Sequence, residues 1–133
     1  MRVFLDTNVL ASAFATRGLC ADLVREILAE HDLITGEVVL GELERVLLRT
    51  FGVPAGTAAS VIALLRTCTV VPRPKKILAV HVRDADDAWV LASAVAAKAD
   101  VLVTGDKDLL AVGNKAGILI TNPRGFWNLL RGA

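Results

Sequence analysis

Arg2-Val3-Phe4-Leu5-Asp6-Thr7-Asn8-Val9-Leu10 is the stretch on which the fold turns. A short apolar run ends in one acid, two small polar residues follow, and the chain becomes apolar again. A buried strand that delivers a carboxylate to its C-terminal end, just before a helix, reads this way. Open parallel sheets bind ligands outside the carboxyl ends of their strands, which would put Asp6 at a ligand site. Asp is also a favoured N-cap, so Asp6 taken alone is equally well explained as the cap of the helix that follows. Acids at the ends of other strands would decide between the two.

Working outward, the chain alternates strands and helices. Strand spans are expected at Val3 to Asp6, Asp32 to Thr35, Thr69 to Val71, Val101 to Thr104 and Ile118 to Ile120. Helices are expected at Val9 to Ala15, Ala21 to Ala29, Val38 to Arg49, Ala55 to Thr67 and Asp87 to Lys98, with a helical turn at Leu109 to Val112 and a last helix from Pro123 to Leu130. Thr35 is placed to cap the third helix. Phe51-Gly52-Val53-Pro54 ends that helix, and Pro72-Arg73-Pro74-Lys75-Lys76 is a loop because two prolines exclude regular structure. Ile77 to Val82 reads either way. The Asp87–Lys98 helix is apolar on nearly every side and so is expected to be buried. Five strands separated by helices predict a three-layer α/β/α domain over residues 1–133, with a mostly parallel five-stranded sheet.

Composition narrows the class. Of 133 residues, 54% are hydrophobic and 22% charged, which suggests either a core buried from both sides or an extra face for a partner subunit. Fifteen basic and fourteen acidic residues give a net charge of +1, which neither favours nor excludes a nucleic-acid partner. Cys20 and Cys68 have no metal-like spacing and are expected as reduced thiols. Asp6 interrupts any secretory signal, and the uncharged run from Ala88 to Ala97 is shorter than the roughly 20 residues a membrane span needs. The expectation is a cytoplasmic protein with no membrane association.

Acids recur at element ends. Asp84-Ala85-Asp86-Asp87 opens the apolar helix, and Val101-Leu102-Val103-Thr104 runs into Gly105-Asp106-Lys107-Asp108. Glu42 and Glu44 flank the apolar stripe of the third helix at similar angles, and periodicity does not choose between them. Each acid has a structural explanation: a helix cap or dipole partner for Asp84, Asp86 and Asp87, a turn for Asp106 and Asp108, a solvated edge for the glutamates. Together they would need several coincidences of position. Ionised acids crowded at strand ends repel one another, and a hard divalent cation such as Mg²⁺ or Mn²⁺ removes that cost. Such ions hydrolyse phosphodiesters without a catalytic Ser, Cys or His, which suits a chain whose histidines are His31 and His81.

Val3-Phe4-Leu5-Asp6-Thr7-Asn8, Gly41-Glu42-Leu43, Arg83-Asp84-Ala85-Asp86-Asp87 and Leu102-Val103-Thr104-Gly105-Asp106-Lys107-Asp108 together resemble a PIN domain, in order and spacing, over essentially the whole chain. The resemblance implies a metal-dependent ribonuclease acting on single-stranded RNA, similar to the small VapC-like toxins of toxin–antitoxin pairs. It implies that Asp6, Glu42, Asp87 and Asp106 hold one or two Mg²⁺ or Mn²⁺ ions, which selects Glu42 over Glu44. Thr7, Asn8 and Thr104 would support them, Asp108 and Asp84 would help through water, and Asp86 competes with Asp87 as a ligand. Attack by an activated water would leave a 5′-phosphate.

Arg73, Lys75 and Lys76 are the densest basic cluster and the candidate RNA grip, or else a solvated loop. Exposed apolar helix faces in the N-terminal half suit a homodimer or a groove for an antitoxin helix. Two rival readings remain: a PIN fold without activity that binds RNA or assembles, and a HAD-like small-molecule phosphatase. The second needs an acid two residues after the first, where this chain has Asn8.

Overall fold

In the computed structural model, which describes residues 1–132, five strands form one sheet in the order β3-β2-β1-β4-β5. The strands are β1 (Arg2–Leu5), β2 (Asp32–Gly36), β3 (Thr69–Val71), β4 (Val101–Val103) and β5 (Leu119–Thr121). Seven helices connect and follow them: α1 (Thr7–Ala15), α2 (Leu19–Glu30), α3 (Glu37–Arg49), α4 (Ala55–Leu65), α5 (Ala85–Ala96), α6 (Lys107–Leu110) and α7 (Pro123–Leu130). Every strand pairing is parallel, so the sheet is wholly rather than mostly parallel.

β1 lies at the centre because it can be covered on both sides. Val3, Phe4 and Leu5 are consecutive and fully buried, as are Leu102 and Val103 beside them on β4. From β1 the chain winds to β2 and then β3 on one side, then crosses back to β4 and β5 on the other. Right-handed crossovers in opposite directions put the intervening helices on opposite faces, α1 to α4 on one and α5 on the other. The reversal falls between β1 and β4, where an open sheet leaves a crevice at its C-terminal edge. The register holds Leu5 opposite Val103, and the Asp6 amide continues it by donating to the Val103 carbonyl at 3.0 Å.

Local chemistry sets the helix boundaries. Asp84 caps α5, its Oδ1 accepting from the amides of Asp86 at 2.8 Å and Asp87 at 3.3 Å. The helix therefore starts at Ala85, two residues before the acid expected to open it. Asp106 caps α6 in the same way, which moves that turn from the expected Leu109–Val112 to Lys107–Leu110. Thr35 does not cap α3. Gly36 holds the N-cap position, and Thr35 is fully buried with no hydrogen-bond partner for its hydroxyl. Gly36 lies where backbone and helix meet closely: a Cβ there would stand 3.1 Å from Val71 Cγ2 and 3.6 Å from Ser93 Cβ on α5. Gly52 adopts φ of +63° just beyond α3, a left-handed conformation that glycine takes without strain. Residues 72–84 form no helix or strand. Among the described residues, no helix is long and apolar enough to cross a membrane.

Candidate metal centre at the C-terminal edge of the sheet

Asp6 leaves the end of β1 and is 6% exposed, deep for a carboxylate. Its oxygens are each engaged. Oδ1 accepts from the Thr7 amide at 2.8 Å, and Oδ2 accepts from Thr104 Oγ1 at 2.7 Å. Thr104 follows β4 and is fully buried; its hydroxyl also accepts from the Asp106 amide at 3.0 Å. One threonine thus ties the acid of β1 to the acid beyond β4. Asp106 receives both of its cap bonds, from the Asp108 and Leu109 amides, on Oδ1. Its second oxygen is left for the site.

Asp87 reaches the same place from the first turn of α5. One carboxylate oxygen from each of Asp87, Asp106 and Asp108 lies within 4.8 Å of the others. Glu42 approaches from α3 and shares a cleft with Asp86, while Glu44 is exposed on the same helix. Asp84 and Asp86 are exposed at the start of α5, and Asp84 takes both of its cap bonds on Oδ1. Asn8 is exposed and lines a second cleft with Arg83, Asp106 and Asp108. The sequence-predicted acids therefore converge on the edge between β1 and β4. Asp87, Asp106 and Asp108 form the tightest group, Asp6 joins it through Thr104, and Glu42 stands on its α3 side.

The electrostatics are those of uncompensated negative charge. Burial raises the Asp6 carboxyl, and the Asp106 charge adds to that against the hydrogen bonds from Thr104 and Thr7. Glu42 is raised by burial, then by Asp6 and Asp86, with Arg45 opposing. Asp87 is pushed up to about 7, by burial first, then by its neighbour Asp106, then by Asp6 and Asp84. Among the described residues the ion pairs are Arg25–Asp22, Arg66–Glu37 and Arg131–Glu26, so no acid of this edge is paired with a basic side chain. Thr7 Oγ1, buried beside Asp6, faces Glu42 and offsets part of the rise of that carboxyl. Clustered carboxylates without a protein cation form an all-oxygen donor set that suits a hard divalent cation.

The basic residues divide. Arg73 lies over the Trp89 ring at 4.3 Å from its centroid and lines the cleft that holds Glu42 and Asp86. Lys75 and Lys76 instead line a groove with Ala92, Val95 and Ala96 of α5, which contains none of the acids. The sequence reading left Arg83, Arg45 and Trp89 unassigned to the site. Arg83 lines both clefts that contain Asp108. Trp89 follows Asp86 by three positions and Arg45 follows Glu42 by three, a spacing that puts each beside its acid on a helix face and was visible in the sequence.

The fold is shared with solved structures. VapBC2 from Rickettsia felis, bound to a DNA fragment from its promoter, matches with a TM-score of 0.66 at 14% identity, covering 92% of this chain and 98% of that one. VapBC-1 from nontypeable Haemophilus influenzae matches at 0.63 and 19% identity, covering 93% and 99%. VapC20 from Mycobacterium tuberculosis, a toxin that cleaves the sarcin–ricin loop, matches at 0.61 and 19% identity, covering 84% and 95%. At these identities the likeness is one of fold. Comparison with curated protein sequences gives no significant match. The family model described as PIN domain matches residues 2–108, from the start of β1 through the last acid of the cluster, and the chain belongs to the PIN-domain family.

Proposed function

We propose that the chain is a metal-dependent endoribonuclease and the toxin component of a toxin–antitoxin pair. The observation that carries this is the set of acids at the switch point of the sheet, among which Asp6, Glu42 and Asp87 are raised by burial and then by neighbouring carboxylates, and none of which is paired with a basic side chain. Asp6, Glu42, Asp87 and Asp106 would hold Mg²⁺ or Mn²⁺, with Asp108 beside Asp87 and Asp106. When bound, such an ion polarises a phosphodiester and lowers the pKa of its water, which is hydrolysis without a protein nucleophile.

The side chains have separate tasks. Thr104 orients Asp6 and fixes the Asp106 backbone, so both ligands keep one geometry. Asp84 caps α5 through Oδ1, and Asp87 groups with Asp106 and Asp108 while Asp86 does not. That favours Asp87 over the exposed Asp86 as the ligand. Asp87 carries a proton for much of the time near pH 7 and must release it from its carboxyl to bind a cation. Arg83 at one cleft and Arg73 at the other offer positive charge to a phosphate backbone on either side of the acids.

RNA as the substrate is supported by VapC20, whose target is the sarcin–ricin loop. A partner antitoxin is supported by the VapBC complexes among the structural relatives. Exposed Leu28, Leu48 and Leu64, on α2, α3 and α4, supply apolar surface for that partner or for a second copy. The test is cleavage of single-stranded RNA with Mg²⁺ or Mn²⁺, with EDTA and Asp6→Asn controls. Cleavage that needs the metal, needs Asp6 and leaves 5′-phosphate ends is expected. Cleavage undiminished in EDTA, or in folded Asp6→Asn, overturns the reading.

A further inference from the structure

The cleft between α3 and α5 holds more than acids. About 240 Å³ in volume, it has Arg45, Arg73 and Trp89 on its walls beside Glu42 and Asp86. Trp89 is only half-buried, although Ala88, Val90 and Leu91 around it in α5 are buried. It belongs neither to the apolar core nor to the side chains packed against that core. A large aromatic side chain held out of the core, one helical turn from Asp86, has a surface to offer to something else. Arg73, from the irregular segment 72–84, sets its guanidinium over the ring and makes no ion pair among the described residues.

We propose that the Arg73–Trp89 stack is a platform for one unpaired nucleobase of the RNA, next to the phosphate that lies on the acids. The proposal rests on the ribonuclease reading and names the form of its substrate, a strand with at least one base turned out. An indole face accepts any base, because every base has a π-face, and an arginine over the same ring adds cation–π attraction and charge for the backbone. The cleft shares Glu42 and Asp86 with the acid edge, so a base seated there belongs to a nucleotide adjoining the site. A regular duplex keeps its bases inside the stack and does not present one to the ring.

Trp89 and Trp127 are the two tryptophans of the chain, so Trp127→Phe leaves Trp89 as the sole reporter. In the Trp127→Phe/Asp6→Asn protein, a short single-stranded RNA of mixed sequence should quench Trp89 emission saturably. The same backbone lacking its bases, and the same sequence as a duplex, should not. Trp89→Ala should weaken RNA binding roughly fivefold to a hundredfold, the range for loss of one stacked base, and Trp89→Phe should recover most of it. Unchanged emission at saturating RNA, or equal quenching by the base-free backbone, overturns the platform. So does a change in emission on diluting the protein alone, which assigns the ring to a contact with a second copy. Cleavage of the same RNA by the Trp127→Phe protein keeps the two readings apart: cutting with a silent Trp89 removes the platform alone, and quenching without cutting removes the nuclease alone.

Discussion

The two ends of the sheet treat charge in opposite ways. At the N-terminal edge, the Arg2 amide donates to Asp100 at 2.7 Å, and its guanidinium donates to the carbonyls of Ala97 at 2.7 Å and Lys98 at 3.3 Å, closing the turn between α5 and β4. The Arg2 guanidinium and the Asp100 carboxylate there are both hydrogen-bonded within the chain. At the C-terminal edge, Asp6, Glu42, Asp87, Asp106 and Asp108 crowd together and none is paired with a basic side chain. Arg45 lies near Glu42 and only partly offsets its neighbours. One edge is built for stability. The other stores electrostatic strain that an external cation would relieve, as functional sites commonly do.

Substitutions at the two edges should therefore have opposite effects. The largest effect is expected at Asp6. Asp6→Asn keeps the shape and one acceptor for Thr104, gives up the acceptor for the Thr7 amide and removes a charge, so RNA cleavage should fall by more than roughly a hundredfold while circular dichroism is unchanged. Thermal unfolding in EDTA should show this variant no less stable than the parent, because a repelled carboxylate has gone. Thr104→Val comes next. It frees Asp6 and loosens the Asp106 backbone, and a loss of roughly tenfold to a hundredfold in activity or metal affinity is expected.

The pH response has a definite sign. Asp6, Glu42 and Asp87 all have raised pKa values in the fold, so the folded chain keeps protons that the unfolded chain has released. Their contribution to stability is full below the ordinary carboxyl values of 3.8 and 4.5 and disappears as pH climbs through the folded values, about 7 for Asp87. In EDTA this set should make the fold less stable at pH 7 to 8 than near pH 5, and Mn²⁺ should restore stability at the higher pH. Unfolding scans with and without metal measure both. The smallest effect is expected at the opposite edge. Arg2→Ala should lower stability by about 1 kcal/mol and leave cleavage rates alone. A large loss of activity there would mean that the edges are coupled.

Much of this was legible in the sequence. β1 to β4 are apolar runs that end at acids, at glycine or before a proline loop, and α7 begins at Pro123 after its cap Asn122. The starts of α5 and α6 were missed for one reason. Aspartates two or three residues apart compete to cap a helix, and sequence alone does not say which amides they reach. Asp84 and Asp106 won, so α5 and α6 both start two residues early. Thr35 failed as a cap because β2 runs on through Gly36 and buries it. Glu42 and Glu44 were tied by periodicity, and only the packing of α3 leaves one in the cleft and the other in solvent. Residues 72–84 carry no period at all, so nothing in the sequence separated Arg73, beside the acids, from Lys75 and Lys76 in a different groove.

The central claim is that the acids of the C-terminal edge are held for a divalent cation. Calorimetric titration of Mn²⁺ into the metal-free protein at pH 7 tests it most directly, run in two buffers of different ionisation enthalpy. Saturable binding of one or two ions is expected, with proton release because Asp87 must give up its proton, and with the affinity lost in Asp106→Asn. No saturable heat, or the same isotherm for the folded Asp106→Asn protein, would contradict the claim.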